Sequence, residues 1–207
     1  MWHLVLIIAC TGLVFLSLWR VFKHEKESRL RAADTSATDA VAVSVLKPLC
    51  GVDDALENNL ESFFQLSHAN FELVFGVQGG EDPAIAVVER LQARYPDVRC
   101  KLVVHEGKRG INPKVANLRG MLEAVTHDVV VISDSNIHVG QDYLHELLVA
   151  FEEPRVGLVT SLFRGVGESG LGSMLENAHL TTVVAPAVAL SGVGGQHVAI
   201  GKSMLFR

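Results

Sequence analysis

The sequence predicts an α/β protein built from βαβ units around a mostly parallel sheet. Three observations carry that expectation. Short runs rich in Val, Ile, Leu and Phe alternate with stretches of about ten residues whose apolar positions recur at helical spacing. Val129-Val130-Val131-Ile132-Ser133 puts four β-branched residues directly ahead of Asp134-Ser135-Asn136, as expected of a buried strand that ends in a carboxylate. Clusters able to carry chemistry follow three successive predicted strands, so a parallel arrangement brings them to one rim.

The elements read in order. Val41–Leu46 is a strand that Pro48 and Gly51 end. Asp53 or Asp54 then caps a helix to about Leu66, with Leu56, Leu60, Phe63 and Phe64 on its apolar face. Phe71–Val77 is a second strand. Pro83 suits the first turn of a helix to about Tyr95 that turns Ile85, Val88 and Leu91 to one side. Cys100–Val104, Asp128–Ile132 and Val156–Leu162 read as further strands, and Lys114–Val125 and Asp142–Phe151 as helices. Gly165–Gly172 is loop-like, and Ser173–Leu190 is an apolar, weakly amphipathic stretch broken by Pro186. It either lies against a membrane interface or forms a buried helix of the domain. Gly192, Gly194 and Gly195 lead to a last short strand, Ala199–Phe206.

Composition narrows the function classes. The chain has 207 residues, 49% of them hydrophobic, with a formal net charge of −5 and a mean hydropathy of +0.30. A negative balance offers no surplus of cations for a nucleic-acid backbone, so no nucleic-acid partner is expected. Trp2 to Trp19 is apolar apart from His3, Thr11 and Ser17, and no Lys or Arg precedes Arg20. That is the length of a transmembrane helix at the short end. Arg20, Lys23, Lys26, Arg29 and Arg31 follow it, which places the C-terminal side in the cytosol and argues for an uncleaved anchor over a signal peptide. The expected organisation is an anchor over 2–22, a basic flank and linker over 23–40, and one domain over 41–207: a single-pass membrane protein with its domain cytosolic. Cys10, Cys50 and Cys100 have no paired spacing and are expected to be buried free thiols in a reducing compartment.

The chemistry-bearing clusters are Gln78-Gly79-Gly80-Glu81-Asp82, Gly110 to Leu118, and Asp134-Ser135-Asn136. A nucleotide-sugar donor needs a group that recognises its base, a cation that compensates its diphosphate, and a Lys or helix N-terminus at the leaving group. Asp82, then Asp134 with a divalent cation (Mg²⁺ or Mn²⁺) and Asn136, then Lys114 meet these needs in turn. Each also has a plainer reading: Asp82 before Pro83 and Asp134 as helix caps, Lys114 as a solvated surface lysine. The nine histidines, His105, His127, His138, His179 and His197 among them, include no HxxxH or HxH pair, which disfavours zinc. Gly192-Val193-Gly194-Gly195 lacks the strand and the acidic residue of a dinucleotide fingerprint, and neither a Walker lysine nor a nucleophilic serine elbow occurs.

Several blocks, taken in register, resemble the ceramide glucosyltransferase family, which includes bacterial relatives associated with hopanoid biosynthesis. They are Lys47-Pro48-Leu49-Cys50-Gly51-Val52-Asp53, Asn58 to Phe64, Val77-Gln78 with Asp82-Pro83-Ala84, Gly110 to Lys114 with Asn117-Leu118, Ser133-Asp134-Ser135, Gly157-Leu158-Val159 and Gly201-Lys202-Ser203-Met204. The resemblance implies a GT-A type nucleotide-diphospho-sugar transferase fold behind one transmembrane helix. It implies inverting transfer of a hexose, glucose or N-acetylhexosamine, from a UDP-sugar to a ceramide- or hopanoid-type lipid hydroxyl at the membrane. Asp82, Lys114, Asn117 and Asp134 would then bind the donor, and Asp134 and Asn136 the metal. The family's third aspartate, its general base, and its Arg-Trp motif are expected beyond Arg207. The chain is therefore expected to be the donor-binding N-terminal part of a longer enzyme, or a short form paired with a second chain. A non-catalytic nucleotide-sugar-binding module is the alternative of a different class. A processive polysaccharide synthase is disfavoured because pore-forming helices are lacking.

Overall fold

The structure is a computed structural model that describes residues 11–12, 14–20, 22–23, 26, 38–53, 55–106, 112–167, 170–191 and 198–207. The chain divides into two compact units, Asp34–Thr160 with Ile200–Arg207, and Met1–Ala33 with Ser161–Ala199.

The first unit is the predicted sheet protein. Strands β1 (Val43–Pro48), β2 (Phe71–Gln78), β3 (Cys100–His105), β4 (Val129–Ser133), β5 (Leu158–Thr160) and β6 (Ser203–Phe206) form one sheet in the order β3-β2-β1-β4-β6-β5. Strands β1 to β4 are mutually parallel where they pair, with Val43 opposite Phe71 and Val129, and Leu73 opposite Cys100. Strand β6 runs antiparallel to both β4 and β5, with Ser203 opposite Ser133. Sheet growth runs one way from β1 through β2 to β3 and resumes on the other side of β1 with β4. The reversal point lies between β1 and β4, where open α/β sheets leave a crevice at the strands' C-terminal ends.

Packing follows the two-residue period of strands. Val43, Val45, Leu73, Phe75, Val129, Val131 and Leu205 turn to one face. There they meet helices α1 (Leu56–Phe64), α2 (Ala84–Arg94) and α4 (Tyr143–Phe151) through Leu60, Phe63, Val88, Leu91, Leu144 and Leu148. Each such fully buried side chain contributes about 1.5–3 kcal/mol over its exposed state. The other face is thinner. Leu46 and Val74 are buried there against Met121 of helix α3 (Pro113–Met121), which a single 3₁₀ turn follows, while Val130 and Ile132 stay half-buried. The four β-branched residues of β4 are thus buried alternately, not as a block. Helix α3 approaches β2 closely because of Gly76: a Cβ there would lie 2.3 Å from the Met121 sulfur and 2.6 Å from Asn117 Oδ1.

Element boundaries moved by a few residues. Strand β1 continues to Pro48, which can end a strand because the last position needs no donor. Helix α1 starts at Leu56, whose amide bonds the Asp53 carbonyl at 3.2 Å, so Asp53 supplies main chain and not a side-chain cap.

In the second unit, α5 (Leu171–His179), a π turn (Leu180–Val184) and α6 (Ala185–Ser191) follow one another. Pro186 has no N–H for the ladder, and the π turn ends two residues before it, which is how a helix absorbs such a break. The Thr182 hydroxyl bonds back to the Ala178 carbonyl at 2.6 Å in the same turn. No residue of α5 is buried, and Leu171, Met174 and Leu175 are exposed. The buried-helix expectation for this stretch therefore does not hold over α5. Residues 14–20 are helical, but most of the expected anchor lies outside the described residues. Among the described residues no helix is long and apolar enough to cross a membrane.

The cysteines also depart from expectation: Cys50 is a free, exposed thiol in the loop after β1. Cys100 is half-buried, and burial pushes its thiol up to about 11, which leaves it unreactive. Cys10 lies outside the described residues.

Candidate active site

The site is built at the reversal point, where β1 ends at Lys47-Pro48 and β4 ends at Ser133-Asp134. Beneath it lies a buried polar cluster. The Lys47 side chain is fully buried, and its Nζ donates to the Asp134 carbonyl at 2.8 Å and to Ser133 Oγ at 3.2 Å. The same ammonium sits 3.6 Å from the centroid of the Phe63 ring, a cation–π contact. Burial pushes the Lys47 ammonium well below its ordinary range, and the negative charge of Asp134 opposes that shift. Tyr143 reaches in from α4 and hydrogen-bonds Ser203 Oγ, with its ring edge against Phe63 at 5.7 Å. Burial raises the Tyr143 phenol to about 12, so it stays neutral. This cluster holds the turn that presents Asp134.

Above it, Asp134 is the convergence point. Its carboxylate accepts from Lys114 Nζ and lies 3.8 Å from Lys202 Nζ. Lys114 stands in the first turn of α3, where Asn112 caps the helix by accepting from the Val115 amide at 3.3 Å and Pro113 follows it. Lys114 also donates to the Gly201 carbonyl at 3.0 Å. Lys202 donates to Asn136 Oδ1 at 3.4 Å. The Asp134 amide bonds the Lys202 carbonyl at 3.0 Å and so extends the β4–β6 pairing into the turn. One carboxylate and one amide oxygen thus face two partly exposed ammonium groups, with a third ammonium buried below.

The predicted residues separate into two groups. Lys114, Asp134 and Asn136 come together, through Lys202. Asp82 does something else: its two oxygens accept the Gly51 amide at 3.1 and 3.0 Å, and one also accepts the Ala84 amide at 2.8 Å. It caps α2 and clasps the loop after β1, in which Gly51 takes the left-handed conformation at φ 68°. Asn117 is 4% exposed. Its amide donates to the Leu49 carbonyl at 3.0 Å and the Gly76 carbonyl at 2.9 Å, and its Oδ1 accepts from His105 Nε2 at 2.9 Å. Both amide hydrogens are used, so Asn117 ties α3 to the ends of β1 and β2 and acts as a positioning residue. Lys47, Lys202 and Tyr143 escaped the sequence reading as site residues. A lysine two residues before a strand-ending loop is a detectable signal for Lys47; nothing local distinguishes the other two.

Comparison with solved structures defines the class first. The chain superposes on the mannosyltransferase PcManGT from Pyrobaculum calidifontis, solved with GDP-Man and Mn²⁺, with a TM-score of 0.60 and 18% identity over 94% of this chain and 56% of that one. Glucosyl-3-phosphoglycerate synthase from Mycobacterium tuberculosis, solved with Mn²⁺, UDP and glucosyl-3-phosphoglycerate, gives a TM-score of 0.52 at 18% identity, over 83% of this chain and 58% of that one. The fold is of the GT-A glycosyltransferase type.

The family follows from sequence. The profile of glycosyl transferase family 21 matches residues 3–207, and the chain belongs to that family. It is 41% identical over 100 residues to ceramide glucosyltransferase 1 of Caenorhabditis elegans, a match that covers 48% of this chain and 22% of the relative. Ceramide glucosyltransferase of Komagataella phaffii is 35% identical over 101 residues, covering 47% and 20%. The chain spans between a fifth and a third of the curated relatives it matches.

Proposed function

We propose that residues 41–207 form the donor-binding part of a membrane-associated, inverting glycosyltransferase that moves a hexose from a UDP-sugar to a lipid hydroxyl of ceramide or hopanoid type. The observation that carries this reading is the Asp134 cluster at the sheet's reversal point in a member of family 21. A diphosphate carries charge that Lys114 and Lys202 can receive, and its arrival would take both ammonium groups off the carboxylate. Asp134 and Asn136 are hard oxygen donors, the ligand type of Mg²⁺ and Mn²⁺, which commonly take one or two protein oxygens and complete their shell with phosphate and water. These residues therefore fit such a cation, which when bound compensates the charge of the diphosphate leaving group. Asp82 uses three of its roughly four acceptor sites on main-chain amides, and the remaining one suits an N–H of the donor's base. No described residue is assigned the deprotonation of the acceptor. The exposed Leu171, Met174 and Leu175 of α5 suit contact with lipid, and the basic residues from Arg20 onward suit a cytosolic membrane face.

Calorimetric titration of the 207-residue chain with UDP-glucose, with and without Mn²⁺, tests the reading. Binding is expected to strengthen with the cation, and Asp134→Ala is expected to abolish that increment, a loss of about 10–100-fold for a charge-assisted contact. No binding in either condition would reject the proposal.

A further inference from the structure

At the opposite rim, among the N-terminal ends of β1 and β2, three side chains converge that the donor site does not use. Asp39 precedes β1, His68 stands in the loop before β2, and His145 lies in the first turn of α4. Asp39 Oδ1 is 3.7 Å from His68 Nδ1 and 3.6 Å from His145 Nε2, and the three ligand atoms all lie within 4.8 Å of one another. Both histidines are 2% exposed, and their rings meet edge to face at 5.1 Å.

The hydrogen bonds fix which nitrogens face the centre. His68 Nε2 lies 2.8 Å from the Val41 carbonyl, which can only accept, so that nitrogen carries the proton. In the neutral ring Nδ1 is then a bare lone pair. It is buried, has no hydrogen-bond partner, and points toward a carboxylate oxygen. His145 Nδ1 is engaged with Thr38 Oγ1 at 2.9 Å, which leaves Nε2 facing the same carboxylate. The His68 Nδ1 lone pair and the carboxylate repel unless a cation stands between them. Ring nitrogens held by outer partners are the usual second layer of a metal site.

We propose that Asp39, His68 and His145 form a zinc site, distinct from the donor-site cation, that ties the segment entering β1 to the loop before β2 and to α4. Two imidazoles and one carboxylate suit Zn²⁺ better than Mg²⁺ or Mn²⁺. Tetrahedral Zn²⁺ sets its ligand atoms about 3.3 Å apart, so the two Asp39 spacings need only a few tenths of an ångström of contraction. The Asp39 side chain is 44% exposed, which leaves an entry path and room for water as fourth ligand.

The test titrates the full chain, stripped of metal and held in mild detergent, with Zn²⁺ against a chromophoric chelator. One equivalent is expected at micromolar affinity or better, and Co²⁺ in its place is expected to give a visible tetrahedral d–d band. Asp39→Asn and His68→Gln are each expected to weaken binding by at least tenfold. Asp39→Asn alters a partly exposed side chain and keeps the test decisive if the buried variant fails to fold. Asp134→Ala is expected to leave Zn²⁺ binding unchanged, so failure here and failure of the donor-site reading are separable. Absence of Zn²⁺ binding, or binding that Asp39→Asn leaves intact, would overturn the proposal.

Discussion

At the C-terminal ends of β1 and β4, Asp134 stands among ammonium groups, whereas at the N-terminal ends of β1 and β2 Asp39 faces two imidazole nitrogens. The first carboxylate is satisfied by the chain itself, and a ligand must compete with Lys114 and Lys202 for it. The second faces the unpartnered His68 Nδ1, which attracts it only if a cation intervenes. A third carboxylate, Glu72 near that same N-terminal rim, is the control. It pairs with Lys101 at 2.8 Å and accepts from Ser44 Oγ at 2.6 Å and from the Thr126 amide and hydroxyl at 2.9 and 2.7 Å. Asp134 is satisfied reversibly, by lysines with room to move. Glu72 is satisfied permanently and Asp39 incompletely. The contrast between exchangeable and fixed partners is what separates a site from scaffolding here.

The largest effect that would break this contrast is expected at Asn117, whose contacts make it scaffolding behind the donor rim. Asn117→Leu leaves the Leu49 carbonyl and His105 without their Asn117 partner, while the Gly76 carbonyl keeps the Leu49 amide at 2.8 Å. A loss of about 3 kcal/mol in denaturant-derived stability is expected, from unsatisfied groups at about 1–3 kcal/mol each. At temperatures where the variant remains folded, UDP affinity is expected to fall less than stability implies, because no donor of Asn117 is free. A variant of native stability that no longer binds UDP would make Asn117 a ligand contact.

Glu72 gives a smaller effect with a definite pH signature. Burial raises its carboxyl, but the hydrogen bonds from Lys101, Ser44 and Thr126 outweigh it and bring the group to about 2 from an ordinary 4.5. A depressed folded value means the unfolded chain binds more protons at intermediate pH. The contribution is therefore complete above about 4.5 and lost as pH falls toward about 2. Glu72→Gln is expected to flatten the acid limb of a melting-temperature profile over that window and to lower stability near neutrality by about 1–3 kcal/mol. An unchanged acid limb would show that Glu72 is not held permanently by Lys101, Ser44 and Thr126.

How much of this the sequence disclosed depends on the range of the interaction. Short apolar runs located β1 to β4 within a few residues, and the helix read from Lys114 begins one residue earlier, at Pro113, because those signals are local. The convergence of Lys114 on Asp134 was readable as well, since a parallel sheet puts successive strand ends on one rim. Asp82 showed the limit of such reasoning: helix cap and donor ligand share one local pattern, and only the Gly51 contact reveals the clasp. His68 and His145 were not legible as a cluster, because no spacing rule links residues carried by a strand entry, a loop and a helix start. Paired HxxxH or HxH spacing does not reach a cluster assembled across the fold.

Lys47 offers the finest test, because it separates stability from function. A buried ammonium is held at a desolvation penalty that its contacts with Asp134 and Ser133 only partly offset. Replacing it with Met keeps the volume and the Phe63 contact while removing the charge, so stability at neutral pH is expected to change by no more than about 1 kcal/mol in either direction. The folded Lys47 binds its proton less tightly than the unfolded one does. Native stability is therefore expected to rise with pH as it approaches the ordinary lysine value of 10.5, and that rise should be missing in Lys47→Met. UDP affinity should nonetheless fall, by about tenfold, because the Asp134 carbonyl loses the donor that holds its turn in place. If Lys47→Met binds UDP as well as the parent, the turn is held by the β4–β6 pairing alone and the buried lysine is scaffolding. If it loses affinity while melting normally, the lysine is kept for the site at no gain in stability, as expected where a rim must present a carboxylate to exchangeable partners.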